Sequence, residues 1–133
     1  MARNNNTEPT VTRTNALKKL VQTKLKTLTS QVSFEIADDK ALYPHIVFDF
    51  RRLDLGDLSR QDYILEVNIW DKSQNTVGID TLADNVENLL QAQNLPQDHV
   101  LPTFYLIDRH NIEDSDKNIK HREIRFQIQN YER

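Results

Sequence analysis

The chain has 133 residues, of which 38% are hydrophobic and 28% are charged, and it contains no cysteine. A chain of this length can form one hydrophobic core. No apolar run approaches the roughly 18 residues needed to cross a bilayer. The absence of cysteine excludes disulfides, thiolate nucleophiles and cysteine-ligated zinc. The net charge of −3 is unevenly spread. Residues 1–26 carry six bases and one acid, residues 34–116 carry six bases and seventeen acids, and residues 117–133 carry five bases and two acids. An acidic middle with basic ends suits docking on charged protein partners.

The first part of the chain predicts a polar arm, a helix and a short strand. Residues 1–12 are polar and lack the apolar segment of a secretory signal, so we expect a disordered arm ahead of a single domain over residues 13–133. Apolar residues at helical spacing predict an amphipathic helix over about Thr14 to Thr29. Its stripe consists of Ala16, Leu17, Leu20, Val21, Leu25 and Leu28. Alternating apolar residues from Val32 to Ile36 then predict a short edge strand.

Two half-buried strands follow, because apolar and polar residues alternate from Tyr43 to Arg51 and again from Tyr63 to Asp71. The link from Leu53 to Gln61 is too long for a tight turn, which predicts a hairpin with a projecting loop. The side chains expected on the outward face of these strands are His45, Val47, Asp49, Ile64, Glu66, Asn68 and Trp70.

The second half of the chain predicts one more helix and two more strands. A clear apolar stripe from Ile79 to Leu90 indicates a helix over about Asn75 to Gln93 that covers a core. The run from Pro102 to Arg109 is apolar on both sides, as is typical of a strand in the middle of a sheet. Strict alternation from Lys120 to Tyr131 predicts the last strand.

The element order is therefore α-β-β-β-α-β-β, and two amphipathic helices need a sheet face to cover. We predict a two-layer α+β domain with a mainly antiparallel sheet. The outward face would expose Val47, Ile64, Trp70 and Tyr105, more apolar area than a monomer usually leaves in one place. Those residues indicate a subunit interface, unless a loop or the first helix covers that face.

Motifs for catalysis or cofactor binding are nearly absent from the sequence. Gly56 and Gly78 are the only glycines, so phosphate-binding glycine loops are excluded. The segment from Asp114 to Asn118 opens like a calcium loop but then has Ile119 where glycine is required and Arg125 where glutamate is required, which favours a plain hairpin tip.

Two side-chain groups deserve a structural test. His110 and His121, beside Asp108 and Glu113, form a weak candidate zinc site. Asp49, Glu66 and Arg125 are predicted to align on the outward face as an ion-pair cluster rather than a catalytic dyad. We predict no metal and no cofactor.

An ordered set of segments resembles the tail terminator, or tail-completion, proteins of long-tailed bacteriophages. These segments are YPHIVF at 43–48, DYILEVNIWD at 62–71, IEDSDKNIKHR at 112–122 and RFQI at 125–128. The resemblance extends over about residues 17–131. It implies an α+β, non-enzymatic virion protein that assembles as a hexameric ring on the head-proximal end of the tail tube, stops tube growth and offers the surface for head attachment.

The implied partners are further copies of the chain, the tail tube protein and the head–tail connector protein, with no membrane and no specific nucleic acid. The implied location is the virion tail, assembled in the cytoplasm of the bacterial host. The alternatives are a head–tail neck adaptor or a tail tube subunit, and then a small metal-dependent enzyme using His110, His121 and Asp108. Exposed aromatic residues and projecting loops predict the interface. The predicted interface residues are Val47, Arg51, Arg52, Asp57, Arg60, Ile64, Trp70, Glu113, Asp114 and Asp116.

Overall fold

The computed structural model describes residues 13–37, 42–54, 60–91 and 100–132, with side chains up to Tyr131. The predicted arm at residues 1–12 and the predicted interface residue Asp57 lie outside the described residues. The elements are α1 (Arg13–Leu25), β1 (Val32–Phe34), β2 (His45–Leu53), β3 (Arg60–Lys72), α2 (Val77–Leu90), β4 (Val100–Ile112) and β5 (Ile119–Glu132).

The five described strands form one sheet in the order β1-β2-β3-β5-β4. β1 and β2 are parallel, and the other three pairs are antiparallel. Both helices bury their apolar stripes against the same face of this sheet. The predicted two-layer α+β class and the predicted element order are confirmed.

The helices form where the apolar spacing predicts them, although both are shorter than expected. α1 ends at Leu25, where the Leu25 carbonyl accepts a hydrogen bond from the N–H of Leu28 at 2.9 Å in a tightened last turn. At the start of α2 the Asn75 side chain accepts a hydrogen bond from the N–H of Val77 at 3.0 Å. Neither described helix is long and apolar enough to cross a membrane.

The core lies between the helices and the inner face of the sheet. Each of the three long central strands contributes every second residue to it, as the alternation predicts. Fully buried core residues include Leu17 and Leu25 of α1, Phe48 of β2, Leu65, Val67 and Ile69 of β3, Ile79 and Leu90 of α2, Phe104 of β4, and Ile124, Phe126 and Ile128 of β5.

The first strand is shorter than its apolar alternation suggests. β1 ends at Phe34 because Glu35 adopts a left-handed backbone with φ of 67°. The N–H of Ile36 then donates to the Phe34 carbonyl at 2.8 Å, which turns the chain out of the sheet. Ile36, predicted to continue the apolar side of the strand, is instead 79% exposed.

β4 corrects another expectation, because it is longer than predicted and lies at the edge of the sheet rather than in its middle. Its pairing with β5 is irregular between Leu106 and Asp108, where Ile107 is the extra residue of a β-bulge. The bulge reverses the alternation, so Asp108 faces the side opposite to the helices and Arg109 faces α2. Period-two reasoning misses such an insertion because it assumes an unbroken pleat.

Candidate interaction surface on the open face of the sheet

The outward face of the sheet carries four of the ten predicted interface residues, Val47, Arg51, Ile64 and Trp70. No described helix packs against it, since α1 and α2 both bury their stripes on the other side. We call it the open face and define it by the outward side chains of four strands. They are His45, Val47, Asp49 and Arg51 of β2, Asp62, Ile64, Glu66, Asn68 and Trp70 of β3, Tyr105, Asp108 and His110 of β4, and His121, Glu123, Arg125, Gln127 and Gln129 of β5.

The expectation that Val47 and Ile64 are exposed on this face is wrong, because they are only 7% and 8% exposed. Ile64 lies on the central strand, opposite Arg51 on one side and Gln127 on the other. Long polar side chains of this kind cover apolar neighbours with their aliphatic stems. Tyr105 fits the expectation, since it is 43% exposed.

A row of charged residues crosses the open face from strand to strand. The register places Asp49 opposite Glu66, Glu66 opposite Arg125 and Arg125 opposite Asp108, which confirms the predicted alignment. Arg125 donates two hydrogen bonds to Asp108, at 2.9 and 2.5 Å. These bonds lower the pKa of Asp108 and raise the pKa of Arg125. The row therefore leaves two carboxylates, Asp49 and Glu66, directly opposite each other.

A second ionic group, not foreseen from sequence, surrounds a buried carboxylate at one end of β3. Asp62 has no exposed side-chain area, and Arg60 donates to it twice, at 2.7 and 2.6 Å. Gln127 donates a third bond at 2.9 Å. Burial alone raises the pKa of Asp62, but the bonds from Arg60 and Gln127 outweigh it and hold the pKa below its usual value. Arg60 therefore fixes the sheet instead of projecting from a loop.

At the opposite end of the open face, aromatic and histidine rings stack around Trp70. The Trp70 ring is 4.2 Å from the His121 ring and 5.2 Å from the His45 ring, and Tyr43 continues the row 5.1 Å beyond His45. The His121 ring nitrogen Nε2 lies 2.8 Å from the Asn68 side-chain oxygen. Burial lowers the pKa of both histidines. Trp70 thus lies outward as predicted, but it is partly covered by its own neighbours.

The acidic hairpin between β4 and β5 uses its carboxylates to build its own turn. Asp114 accepts a hydrogen bond from the N–H of Asp116, and Asp116 accepts one from the N–H of Asn118, both at 2.9 Å. The N–H of Ser73 donates to the Asn118 carbonyl at 2.7 Å, which ties the hairpin to the end of β3. The predicted interface residues Glu113, Asp114 and Asp116 are exposed there.

An open groove of about 510 Å³ lies beside this hairpin. Its lining combines acidic Glu113 and Asp114 with basic Lys117 and Lys120. Such a mixture of charges does not select one class of ion.

The residues of the candidate zinc site do not converge. His110 lies 3.3 Å from Glu123, His121 contacts Asn68, and Asp108 is held by Arg125. Within the described ranges no three His, Asp or Glu side chains lie close enough together to hold a metal ion.

The two remaining predicted interface residues, Arg51 and Arg52, are exposed at successive positions of β2, so they point to opposite faces of the sheet.

The bulge in β4 also creates an ionic clamp on α2 that sequence reasoning missed. Arg109 contacts Glu87 at 2.8 Å, Asp84 at 2.6 Å and Asp80 at 3.3 Å, and Arg122 of β5 bonds to Asp80 at 2.9 Å. The bond from Arg122 lowers the pKa of Asp80. The clamp holds the acidic side of the helix on the sheet, and it lies on the face opposite to the candidate surface.

Comparison with known proteins yields a likeness in structure and none in sequence. No protein-family model and no curated protein sequence matches the chain. Among solved structures, the fold is similar to a chain in the virion of a native gene transfer agent particle, with a TM-score of 0.74 and 10% sequence identity. The match covers 92% of this chain and 99% of that chain. At this identity the likeness establishes a shared fold.

Proposed function

We propose that this chain is a structural virion protein that caps the head-proximal end of a phage tail tube as a hexameric ring. The observation that carries the proposal is the match in fold to a chain of a gene transfer agent virion over nearly the whole length of both chains. It agrees with the resemblance of the strand and hairpin segments to tail terminator proteins. The resemblance of these segments and the shared backbone fold therefore both support a structural virion protein.

The chemistry of the open face supports a role in binding rather than in catalysis. Two of its arginine–carboxylate pairs are fixed by short hydrogen bonds, Arg125 with Asp108 and Arg60 with Asp62. A catalytic group needs access to substrate and a pKa close to the working pH. Paired arginines and carboxylates with lowered pKa values instead give a stiff, patterned surface. Such a surface suits shape and charge recognition by another protein.

In this function the open face and the acidic hairpin provide two separate contact regions. Trp70 and its histidine neighbours present a large rigid aromatic area, the kind of residue that dominates binding energy at interfaces. Glu113, Asp114 and Asp116 present negative charge at the hairpin tip. We assign one region to the tail tube protein and the other to the head–tail connector protein. No cofactor or metal takes part.

Light scattering across a concentration series, combined with negative-stain imaging of the same samples, tests this proposal. A terminator is expected to form closed six-fold rings of one layer, because each subunit contact is satisfied once the ring closes. Stacks that lengthen into filaments would overturn the terminator function and favour a tail tube subunit. A stable dimer with two-fold symmetry would overturn both.

A further inference from the structure

Each edge of the sheet carries exposed apolar residues. Seven large hydrophobic side chains are exposed in the part of the chain that the structure describes. Three of them lie at the edge strands, Ile36 just after β1 and Tyr105 and Ile107 on β4. We call Ile36 the β1 edge contact and Tyr105 with Ile107 the β4 edge contact. An exposed apolar group at a sheet edge is a typical site for pairing with another chain.

The two edge contacts lie toward the same end of the sheet. Phe34, the last residue of β1, is opposite Phe48, and the cross-strand partners of Phe48 lead through β3 and β5 to Arg109 of β4. Ile36 follows Phe34 by two residues, and the β4 edge contact precedes Arg109 on a strand that runs the other way, so both edge contacts lie beyond this level on the same side. A second copy placed beside the sheet, without sliding along the strands, therefore brings the end of β1, where Ile36 lies, beside the β4 edge contact.

The strand directions also fit such a placement. β1 runs parallel to β2, and three successive antiparallel pairings then reverse the direction at β4. β1 of one copy is thus antiparallel to β4 of a neighbour in the same orientation. Moreover, β4 is apolar on both sides, which is typical of a strand inside a sheet, although it lies at an edge of this one. A neighbouring copy would give it the flanking strand that its sequence pattern suggests.

We infer that the β4 edge of one copy packs against the β1 edge of the next copy, and that this heterologous contact builds the ring. The inference rests on the proposed function and specifies which surfaces join the subunits. A contact between two different edges repeats from copy to copy and closes when the rotation per step divides a full turn. The open faces, apart from Tyr105, then lie on equivalent sides of the ring, where they stay free for the tube or the connector.

Side chains carry this contact more than backbone hydrogen bonds do. The outward N–H of Leu106 already donates to the Gln91 side chain at 2.6 Å, and Pro102 has no N–H to offer. Both features limit uncontrolled pairing at an edge strand. On the other side, β1 is only three residues long. Ile36, Tyr105 and Ile107 therefore decide whether two copies associate.

The test uses one lysine substitution at each edge and a matched control. Ile36→Lys breaks the β1 edge contact, Ile107→Lys breaks the β4 edge contact, and Val77→Lys places the same charge on α2, where the wild-type valine is 72% exposed. Tyr105→Ser serves as a second, uncharged variant of the β4 edge. Sedimentation velocity across a concentration series reports assembly, and circular dichroism verifies that each variant is folded.

We expect each edge variant to require at least tenfold more protein for assembly than the wild type, whereas Val77→Lys assembles normally. In an equimolar mixture, Ile36→Lys supplies an intact β4 edge and Ile107→Lys an intact β1 edge, so a one-to-one dimer is expected and nothing larger. The edge contact is overturned if rings persist in both edge variants, or if the two variants stay monomeric when mixed. Either result leaves the terminator function standing. Wild-type filaments overturn the terminator function, and the mixing result then still decides the edge contact. A wild type that stays monomeric up to about 1 mM overturns both the edge contact and the proposed assembly into a ring.

Discussion

Alanine substitutions on the two faces of β3 measure how open the open face is. Ile64 and Ile69 are 8% and 0% exposed, but Ile69 packs between the sheet and the helices while Ile64 lies among polar side chains. Either substitution removes the Cγ1, Cγ2 and Cδ1 atoms, worth about 2 kcal/mol at roughly 0.8 kcal/mol per buried carbon. At Ile69 the rigid surroundings leave a cavity, so the total is about 4 kcal/mol. At Ile64 the side chains of Arg51 and Gln127 relax into the space, so the loss stays near 2 kcal/mol.

Urea unfolding at pH 7, followed by far-UV circular dichroism, gives the two free energies of unfolding directly. We expect Ile69→Ala to be less stable than Ile64→Ala by about 2 kcal/mol, or roughly 8 °C in Tm for a chain of this size. Unchanged slopes against urea concentration would exclude an effect on the unfolded state. Equal losses would refute the reasoning, because they would mean that a rigid segment covers the open face and that Ile64 lies in a second core.

Three further predictions concern the ionic and histidine groups. Arg60→Met should lower stability because it leaves the buried Asp62 carboxylate without its ion-pair partner, whereas Asp62→Leu should lower it less because the Arg60 side chain is 26% exposed and can turn to solvent. The double variant should be more stable than Arg60→Met; denaturant titration of all four proteins in a double-mutant cycle checks this, and simple additivity would contradict it. The pKa of Asp80 is lowered in the fold, so its contribution to stability is present above the unfolded pKa and is lost as pH falls through the folded pKa. Asp80→Asn should therefore be less stable than wild type at neutral pH and should lose less stability between about pH 4 and 2, as Tm against pH would report; parallel curves would count against the clamp made with Arg122. The pKa of His121 is also lowered, so the fold favours the neutral ring, and stability should fall as pH drops below about 6.5; His121→Gln should reduce this fall, and an unchanged slope of Tm between pH 7 and 5 would oppose it.

Local periodicity predicted most of the architecture. The alternation in the second and third strands placed Phe48 and Leu65 toward the core and Trp70 outward, and the structure confirms all three. The apolar stripe of the second helix, with Ile79 and Leu90, is likewise buried. These predictions hold because a strand or helix presents one face to the core at a spacing that a few consecutive residues already display.

Part of the candidate surface could also be anticipated. The cross-strand alignment of Asp49, Glu66 and Arg125 follows from their equal phase within three alternating strands, and the register confirms it. Arg125 is held instead by Asp108. An unbroken alternation along β4 would place Asp108 on the helix side of the sheet, away from Arg125. The bulge at Ile107 made the difference, and a bulge has no local signature in this stretch.

Strand order, residue burial and long-range pairing depend on contacts that only the folded chain contains. The sequence by itself determined the α+β class, the order of elements, the two faces of each strand and the lack of familiar catalytic motifs, because these follow from neighbouring residues. Only the tertiary structure decided that β4 lies at an edge, that Ile64 is covered and that Asp62 is buried beside Arg60. These three features depend on contacts between residues that are far apart in the chain, because a side chain is buried by all the side chains that pack around it.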